Sequence, residues 1–491
     1  MFEVANNPEQ LHIAMAGASG FVGTALRRVL RDRHEITGLT RSPNVAALAS
    51  GTPGERWRHC DLFSLSSVTE AMEGADVGIY LVHSMLPSSR LSQGNFEDFD
   101  LILADNFARA AEQHGLRQII YLGGLIPDED ESELSMHLRS RLEVERVLGS
   151  TGVPVTSLRA ALIAGSGGSS LEMLVKLVGR LPAMGLPAWC QSRTQPISIS
   201  DVIRAFEACL GNEEAYGQVF DIGGPEVMTY RNMIEKTAAT LGRRRFLIDV
   251  PVIPVWLSRG WVSMITGASS ALAGPLTESL RHDMTVRDNP LQQHLAPQLE
   301  SFDDALAKSL EPTGRPRPNP RDSVRDKDDA VIRVTSVARS VQRLALPPSR
   351  HAAWVAAEYM RWLPRFVWPF MKVVVIGRLV RFQVALLGLT LLQLRLEPEE
   401  SADDRQLFTV TGGALAKPSE VHPGRLEFRE ILDDRTVMAA VHDFAPRLPW
   451  FVYNLSQAIV HLWVMRGFGR HLLRESRRET RDGLTEDSIA E

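Results

Sequence analysis

The sequence predicts an α/β chain: a doubly wound parallel sheet, followed by a smaller α+β unit of consecutive strands and one long helix. Three observations predict it. Short β-rich runs alternate with amphipathic helical stretches over residues 11–165. A glycine-rich turn joins the first strand to the first helix. Beyond a break rich in proline and charge at 311–330, the order changes to strand after strand.

The first region reads LHIAMAG, TALRRVLRD, EITGLTR, SVTEAMEG, DVGIYLVHS, FDLILADNFARAAEQHG, QIIYLGG, LRSRLEVERVLGSTG and PVTSLRAALIAG, strand and helix in turn. In the helix from Phe99, residues Leu101, Ile102, Ala104, Phe107, Ala108 and Ala111 recur at helical spacing, and Gly115 ends the run. Residues 166–310 hold helices, a strand in QVFDIGG and the apolar run PVIPVWLSRGWVSMITG, which together suit an irregular substrate-side lobe. The first domain is therefore 1–310 and the extended linker 311–330.

The second domain, 331–475, carries candidate strands in LVRFQVALL, LTLLQLRLEP, QLFTVTGGAL, RLEFREIL and TVMAAVHDF, with turns at Gly388 and Asp433-Asp434. A helix from about Trp450 to Arg474 follows, on which Leu455, Ile459, Leu462 and Trp463 read as core. Residues 476–491 read as a frayed, charged tail. His442-Asp443 and Arg447 form a polar patch at the mouth of a cavity or cap the last helix.

Composition narrows the partners. The chain has 491 residues, 44% hydrophobic and 23% charged, enough for two or three cores. With 54 Lys and Arg against 59 Asp and Glu, a net charge of −5 favours no polyanion, so no nucleic acid is expected. Cys60, Cys190 and Cys209 lack metal-site spacing, so neither a metal nor a disulfide scaffold is expected, and a reducing cytoplasm fits. MFEVANNPEQ lacks the order of a signal peptide. Lys372, Arg378, Arg381, Gln383 and Gln393 interrupt the apolar stretch from Phe366 to Leu396 before it reaches the roughly 18 residues of a membrane span, and a packed β core accounts for it. No transmembrane segment is expected; peripheral membrane contact stays open, as does the oligomeric state.

The dinucleotide site begins at Gly17-Ala18-Ser19-Gly20-Phe21-Val22-Gly23. Gly17 permits the tight turn, Gly20 lets backbone approach a pyrophosphate, and Gly23 lets the helix pack close. Helix N-terminal N–H groups then face the phosphates. The second strand ends at Thr40-Arg41-Ser42 without an acid, which favours NADP over NAD, Arg41 pairing with a 2′-phosphate or serving as an ordinary surface cation. Asp61-Leu62 follows the third strand, where the carboxylate meets an adenine amine or caps the next turn.

GASGFVG, the acid-free second strand, Asp61-Leu62, LRAALIAG, QPISISDV and VFDIGGPEVMTYRNM together resemble an extended or atypical short-chain dehydrogenase/reductase of the NmrA-like kind, over about residues 11–310. The resemblance implies a Rossmann fold, NADP binding, and a nicotinamide end near Leu81-Val82-His83-Ser84, Gly123-Gly124 and Leu158 to Ile163. Carbonyl reducers of that family use Tyr-x-x-x-Lys on a helix and a strand-end Ser. Here the residue four beyond each of the six tyrosines is never lysine. The matching helix reads His137-Leu-Arg-Ser-Arg141 and the strand end Gly123-Gly124.

Two interpretations follow. In one, His137 is the acid, Arg141 holds the nicotinamide ribose or the substrate oxygen, and His83 assists, in an NADP-dependent oxidoreductase acting on a small hydrophobic molecule at a carbonyl or an activated alkene. In the other, a non-catalytic protein senses NADP(H) or binds a ligand. No Gly-x-Ser-x-Gly elbow, His-Glu-x-x-His or phosphate loop of NTPases supports a hydrolase or NTPase. The second domain resembles the helix-grip, START-like class, in which a curved antiparallel sheet wraps a long helix around an apolar cavity.

Overall fold

The computed structural model describes residues 9–42, 52–83, 91–250, 278–317, 337–417, 423–432 and 435–487. The chain divides into two compact units, Met1–Leu86 with Leu103–Asp328, and Pro87–Ile102 with Asp329–Glu491. The run PVIPVWLSRGWVSMITG, Ser84, the Asp433-Asp434 turn and most of the proline-rich stretch lie outside the described residues.

The first unit is built from β1 (His12–Ala16), α1 (Phe21–Leu30), β2 (Glu35–Thr40), β3 (Glu55–His59), α2 (Leu65–Met72) and β4 (Val77–Tyr80). β5 (Leu91–Gln93) comes next and belongs to the second unit. Then follow α3 (Phe96–Gln113), β6 (Gln118–Gly124), α4 (Met136–Leu148), β7 (Val155–Ala160), α5 (Ser169–Arg180), α6 (Ile199–Cys209), β8 (Val219–Ile222) and α7 (Tyr230–Thr240). The seven-stranded sheet runs β8-β7-β6-β4-β1-β2-β3, and every pairing is parallel. Ile13, Met15, Val77, Ile79 and Ile120 are sealed from solvent, as strands covered on both faces require.

QVFDIGG does not sit in a separate lobe. Val219–Ile222 pairs with Ser157–Ala160 and extends the main sheet, because two in-register parallel strands satisfy each other's backbone across a long connection. The stripe read on α3 is fully buried, and Gly115 ends that run at φ +62°. A buried Phe107 contributes about 1.5–3 kcal/mol.

The second unit contains β9 (Ala338–Ala345), α8 (Ala352–Phe366), β10 (Met371–Ile376), β11 (Leu379–Val384), β12 (Thr390–Leu396), β13 (Arg405–Gly412), β14 (Arg425–Ile431), β15 (Thr436–Phe444), α9 (Trp450–Leu455) and α10 (Gln457–Asp487). Its sheet runs β10-β11-β12-β13-β14-β15-β9-β5, antiparallel except where β5 joins β9. Val355, Tyr359 and Leu363 of α8 pack with Val464, Met465, Phe468 and Leu472 of α10 and with Phe428 and Val437 of the sheet. Gly388 makes its expected turn at φ +64°. β9, β10 and α8 go beyond the elements read from sequence.

The C-terminal helix departs from expectation in three ways. It breaks at Ser456, whose φ −129° and ψ −83° are not helical. It continues to Asp487 rather than ending at Arg474, with Glu475 pairing Arg478 and Glu479 pairing Arg350. Its core face is Ala458, Val464, Met465, Phe468 and Leu472, whereas Leu455 is 77% exposed, Ile459 57% and Trp463 48%. The helix carries two apolar faces, and the one that packs on the sheet and α8 is the Val464, Met465, Phe468 and Leu472 face, not the Ile459 and Trp463 face.

His442 and Asp443 also have a different task. The His442 ring lies 3.1 Å from the Glu427 carboxylate, inside the sheet's buried charge cluster with Arg405 and Arg429. Asp443 bridges Arg339 and Arg425. The residue preceding α9 is Pro449, which provides no side-chain cap.

Candidate functional site

The first unit's sheet reverses its winding between β1 and β4, so the connections leaving these strands diverge and open a crevice at their carboxyl ends. The residues singled out in sequence for the cofactor gather along that edge. The Gly17–Gly23 turn leaves β1, Arg41 follows β2, Asp61 follows β3, Leu81–His83 follows β4, and Gly123-Gly124 closes β6.

The turn is built for close approach. Gly17 adopts φ +82°, and the Gly20 N–H donates to the Gly17 carbonyl at 2.8 Å. A Cβ on Gly23 would stand 2.4 Å from that same carbonyl oxygen, so the helix start packs on the turn itself rather than on the strand alone. Gly20 caps α1 without a side-chain hydrogen bond, and the first turn of α1 carries no acid. Uncapped N–H groups at a positive helix end, without a competing carboxylate, fit a dinucleotide pyrophosphate.

Of the two roles open to Asp61, the structure displays the local one: its carboxylate accepts from the Phe63 N–H at 3.2 Å and its carbonyl from Ser64 at 2.9 Å. Arg41 is exposed at the strand end.

α4 begins where Ser135 caps it, its hydroxyl accepting from the Leu138 N–H. Leu138 and Leu142 anchor it against Leu125, Leu134 and Met284. This sets His137 beside His83, their ring centroids 5.1 Å apart. The Tyr121 hydroxyl donates to the Arg141 carbonyl at 3.2 Å, tying α4 to β6. Glu145, one turn beyond Arg141, is taken up by a two-pronged pair with Arg159 of β7, at 3.0 and 2.6 Å.

One premise of the sequence reading is corrected. His137 is not a near-neutral proton carrier: burial first, then the neighbouring His83 and Arg141, hold its pKa well below the usual 6.5. The imidazole is neutral at physiological pH. Its Nδ1 is sealed from solvent without a hydrogen-bond partner among the described residues.

His137 and Gly124 border a cavity of about 220 Å³, otherwise walled largely by apolar side chains including Leu125, Met173, Leu177, Trp189 and Met284. Tyr230 joins the wall, edge-on to Trp189 with centroids 6.1 Å apart, and burial pushes its phenol up to about 12. The Trp189 Nε1 is also buried without a partner among the described residues. Sequence reasoning missed Trp189, Tyr230 and Met173 as site residues. Their only signal was an apolar face on α5 and a tyrosine without its lysine.

Comparison with known proteins bears on the same region. Residues 17–174 match the family described as NAD(P)H-binding. The auxiliary protein GraX of Staphylococcus aureus is 27% identical over 25% of this chain and 39% of its own, so the chain spans well under two-thirds of that relative. The sanguinarine reductase of Eschscholzia californica is 24% identical over 45% of this chain and 91% of its own. The triphenylmethane reductase of Citrobacter sp. in complex with NADP(H) superposes with a TM-score of 0.48 at 15% identity, over 61% of this chain and 100% of its own. The parallel sheet and its glycine turn form a Rossmann-like unit, and residues 17–174 within it are similar to the NAD(P)H-binding family.

Proposed function

We propose that the protein is an NADP-preferring oxidoreductase of the atypical short-chain, NmrA-like kind that reduces a small hydrophobic carbonyl compound. The observation that carries the proposal is His137, whose buried Nδ1 has no hydrogen-bond partner among the described residues, in the wall of a largely apolar cavity that Gly124 at the β6 end also borders. A ligand carbonyl supplies the hydrogen-bond partner that this nitrogen lacks. The reductase name of the poppy relative agrees with this reaction class.

When bound, NADPH supplies the hydride. The chain's own residues do the rest. The 17–23 backbone holds the diphosphate, Arg41 meets the 2′-phosphate, Asp61 and Leu62 border the adenine, and Leu81, Val82, Gly123 and Gly124 leave room for the nicotinamide. Arg141 orients the ribose or the substrate oxygen. A neutral imidazole is a poor proton source but a good hydrogen-bond donor, so His137 polarises the carbonyl, and the final proton comes from solvent relayed past His83. The apolar wall excludes water from the hydride path. All three thiols are buried and pushed up to about 12, which suits unreactive cysteines in a cytoplasmic protein.

The missing Tyr-Lys pair favours a second reading, a non-catalytic protein that responds to the NADP(H) redox state. One experiment separates the two. Purified protein is incubated with NADPH and a panel of hydrophobic ketones and quinones, in parallel with His137→Ala. The oxidoreductase predicts turnover that falls about 10²-fold or more in the variant while NADPH affinity stays unchanged. No oxidation above background anywhere in the panel overturns it in favour of the sensor.

For the second unit we propose the helix-grip, START-like identity. Its support is the order β9-α8-β10 to β15-α10, with the first strand β9 beside the last strand β15 and both long helices on one face. Such a unit would bind a hydrophobic small molecule.

A further inference from the structure

The second unit ends in a rim of exposed apolar side chains. Trp368 and Phe370 are 78% and 75% exposed, and Leu386 and Leu387, at the tip of the β11–β12 hairpin, 94% and 78%. Backbone hydrogen bonds draw the rim together. The Ala385 N–H donates to the Phe370 carbonyl, Leu415 to Leu391, and Arg447 to Leu415. Phe366 packs on Trp463 at 4.5 Å, which brings in the outward face of α10 with Ile459 and Val460. Isolated apolar side chains on a surface need no explanation; a joined patch of this size does.

Charge indicates what covers it. No Asp or Glu lies between Glu358 and Glu397, nor between Asp443 and Glu475, although acids outnumber bases in the whole chain. The same two segments present Arg365, Lys372, Arg447, Arg466 and Arg470 to solvent. None of these five forms an ion pair with an acid among the described residues. Arg365 and Lys372 line a shallow groove with Trp368, Pro369 and Met371. Tryptophan, aliphatic residues and cations without an acidic partner among the described residues match a membrane interface: rings and leucines enter the headgroup boundary while cations meet lipid phosphates. No helix among the described residues is long and apolar enough to cross a bilayer.

We propose that this rim docks the protein onto an anionic lipid bilayer. The inference is independent of the dinucleotide site. The test is sedimentation of the full-length chain with phosphatidylcholine vesicles, with and without phosphatidylglycerol, for the native protein, the double variant Leu386→Ser with Leu387→Ser, and Phe246→Ser, a control in the first unit that is 75% exposed. The docking rim predicts sedimentation with the anionic vesicles, weaker sedimentation with phosphatidylcholine alone, and partitioning lowered about tenfold or more in the double variant. The control should match the native protein, and circular dichroism should be the same for all three. Absence of sedimentation, equal sedimentation with neutral vesicles, or an unaffected double variant overturns the proposal. So does sedimentation velocity showing a native dimer that the double variant converts to monomer, since the rim would then join two copies of the chain.

Discussion

Arg41 follows β2 at the carboxyl edge of the parallel sheet and precedes Ser42, whose N–H donates to the Thr40 hydroxyl at 3.1 Å. No acid follows the strand to claim a ribose 2′-hydroxyl, and a guanidinium there can form charge-assisted bonds to a 2′-phosphate. Arg41→Ala is therefore expected to weaken NADPH binding by about 1–3 kcal/mol and to leave NADH almost unaffected, as titration calorimetry with each coenzyme would read. Equal losses for both would reduce Arg41 to a surface cation. His137 teaches the complementary lesson. Its place on a helix was legible from the spacing His137-x-x-x-Arg141, but its protonation was not, because burial and the approach of His83 come from separate elements.

At the scale of the element, α10 carries the clearest pH dependence. The ring of His461 lies 3.1 Å from the Ser340 hydroxyl of β9, and burial pushes its pKa down to about 4 from 6.5. Between those values the unfolded chain binds a proton that the folded chain refuses, so stability is full above about pH 6.5 and falls as the pH drops toward 4. The loss should reach about 1–3 kcal/mol from this residue, allowing for its partial exposure. Burial lowers His442 in the same direction, against the opposing pull of Glu427, so the whole protein should show a larger fall. Urea midpoints near neutral pH and at about pH 4.5 would measure it, and His461→Gln should flatten the difference. An unchanged slope in that variant would remove His461 from the account. α10 also shows why an apolar stripe can mislead: the helix has two apolar faces, and only packing against the sheet and α8 decides that Val464, Met465, Phe468 and Leu472 are buried while Ile459 stays exposed.

At the scale of the whole molecule, a ligand that binds only the folded first unit stabilises it by mass action, about 2.7 kcal/mol at a hundredfold excess over Kd. Scanning calorimetry should show NADPH raising the transition that belongs to the first unit and leaving that of the second in place. A shift in neither would contradict the dinucleotide site. Much of that first unit was legible in the chain itself. Alternation of strand and helix, glycines at the turn and the acid-free end of β2 are local signals, because backbone conformation and helix periodicity are set within a few residues. Tertiary structure decided the rest. QVFDIGG became a sheet strand only through pairing with β7, Trp189 and Tyr230 met in one wall only when distant segments packed, and the pKa of His137 is lowered only by its enclosure beside His83 and Arg141. Sequence patterns record the preferences of neighbours along the chain, whereas strand partners, cavities and shifted pKa values depend on which distant residues exclude water from one another.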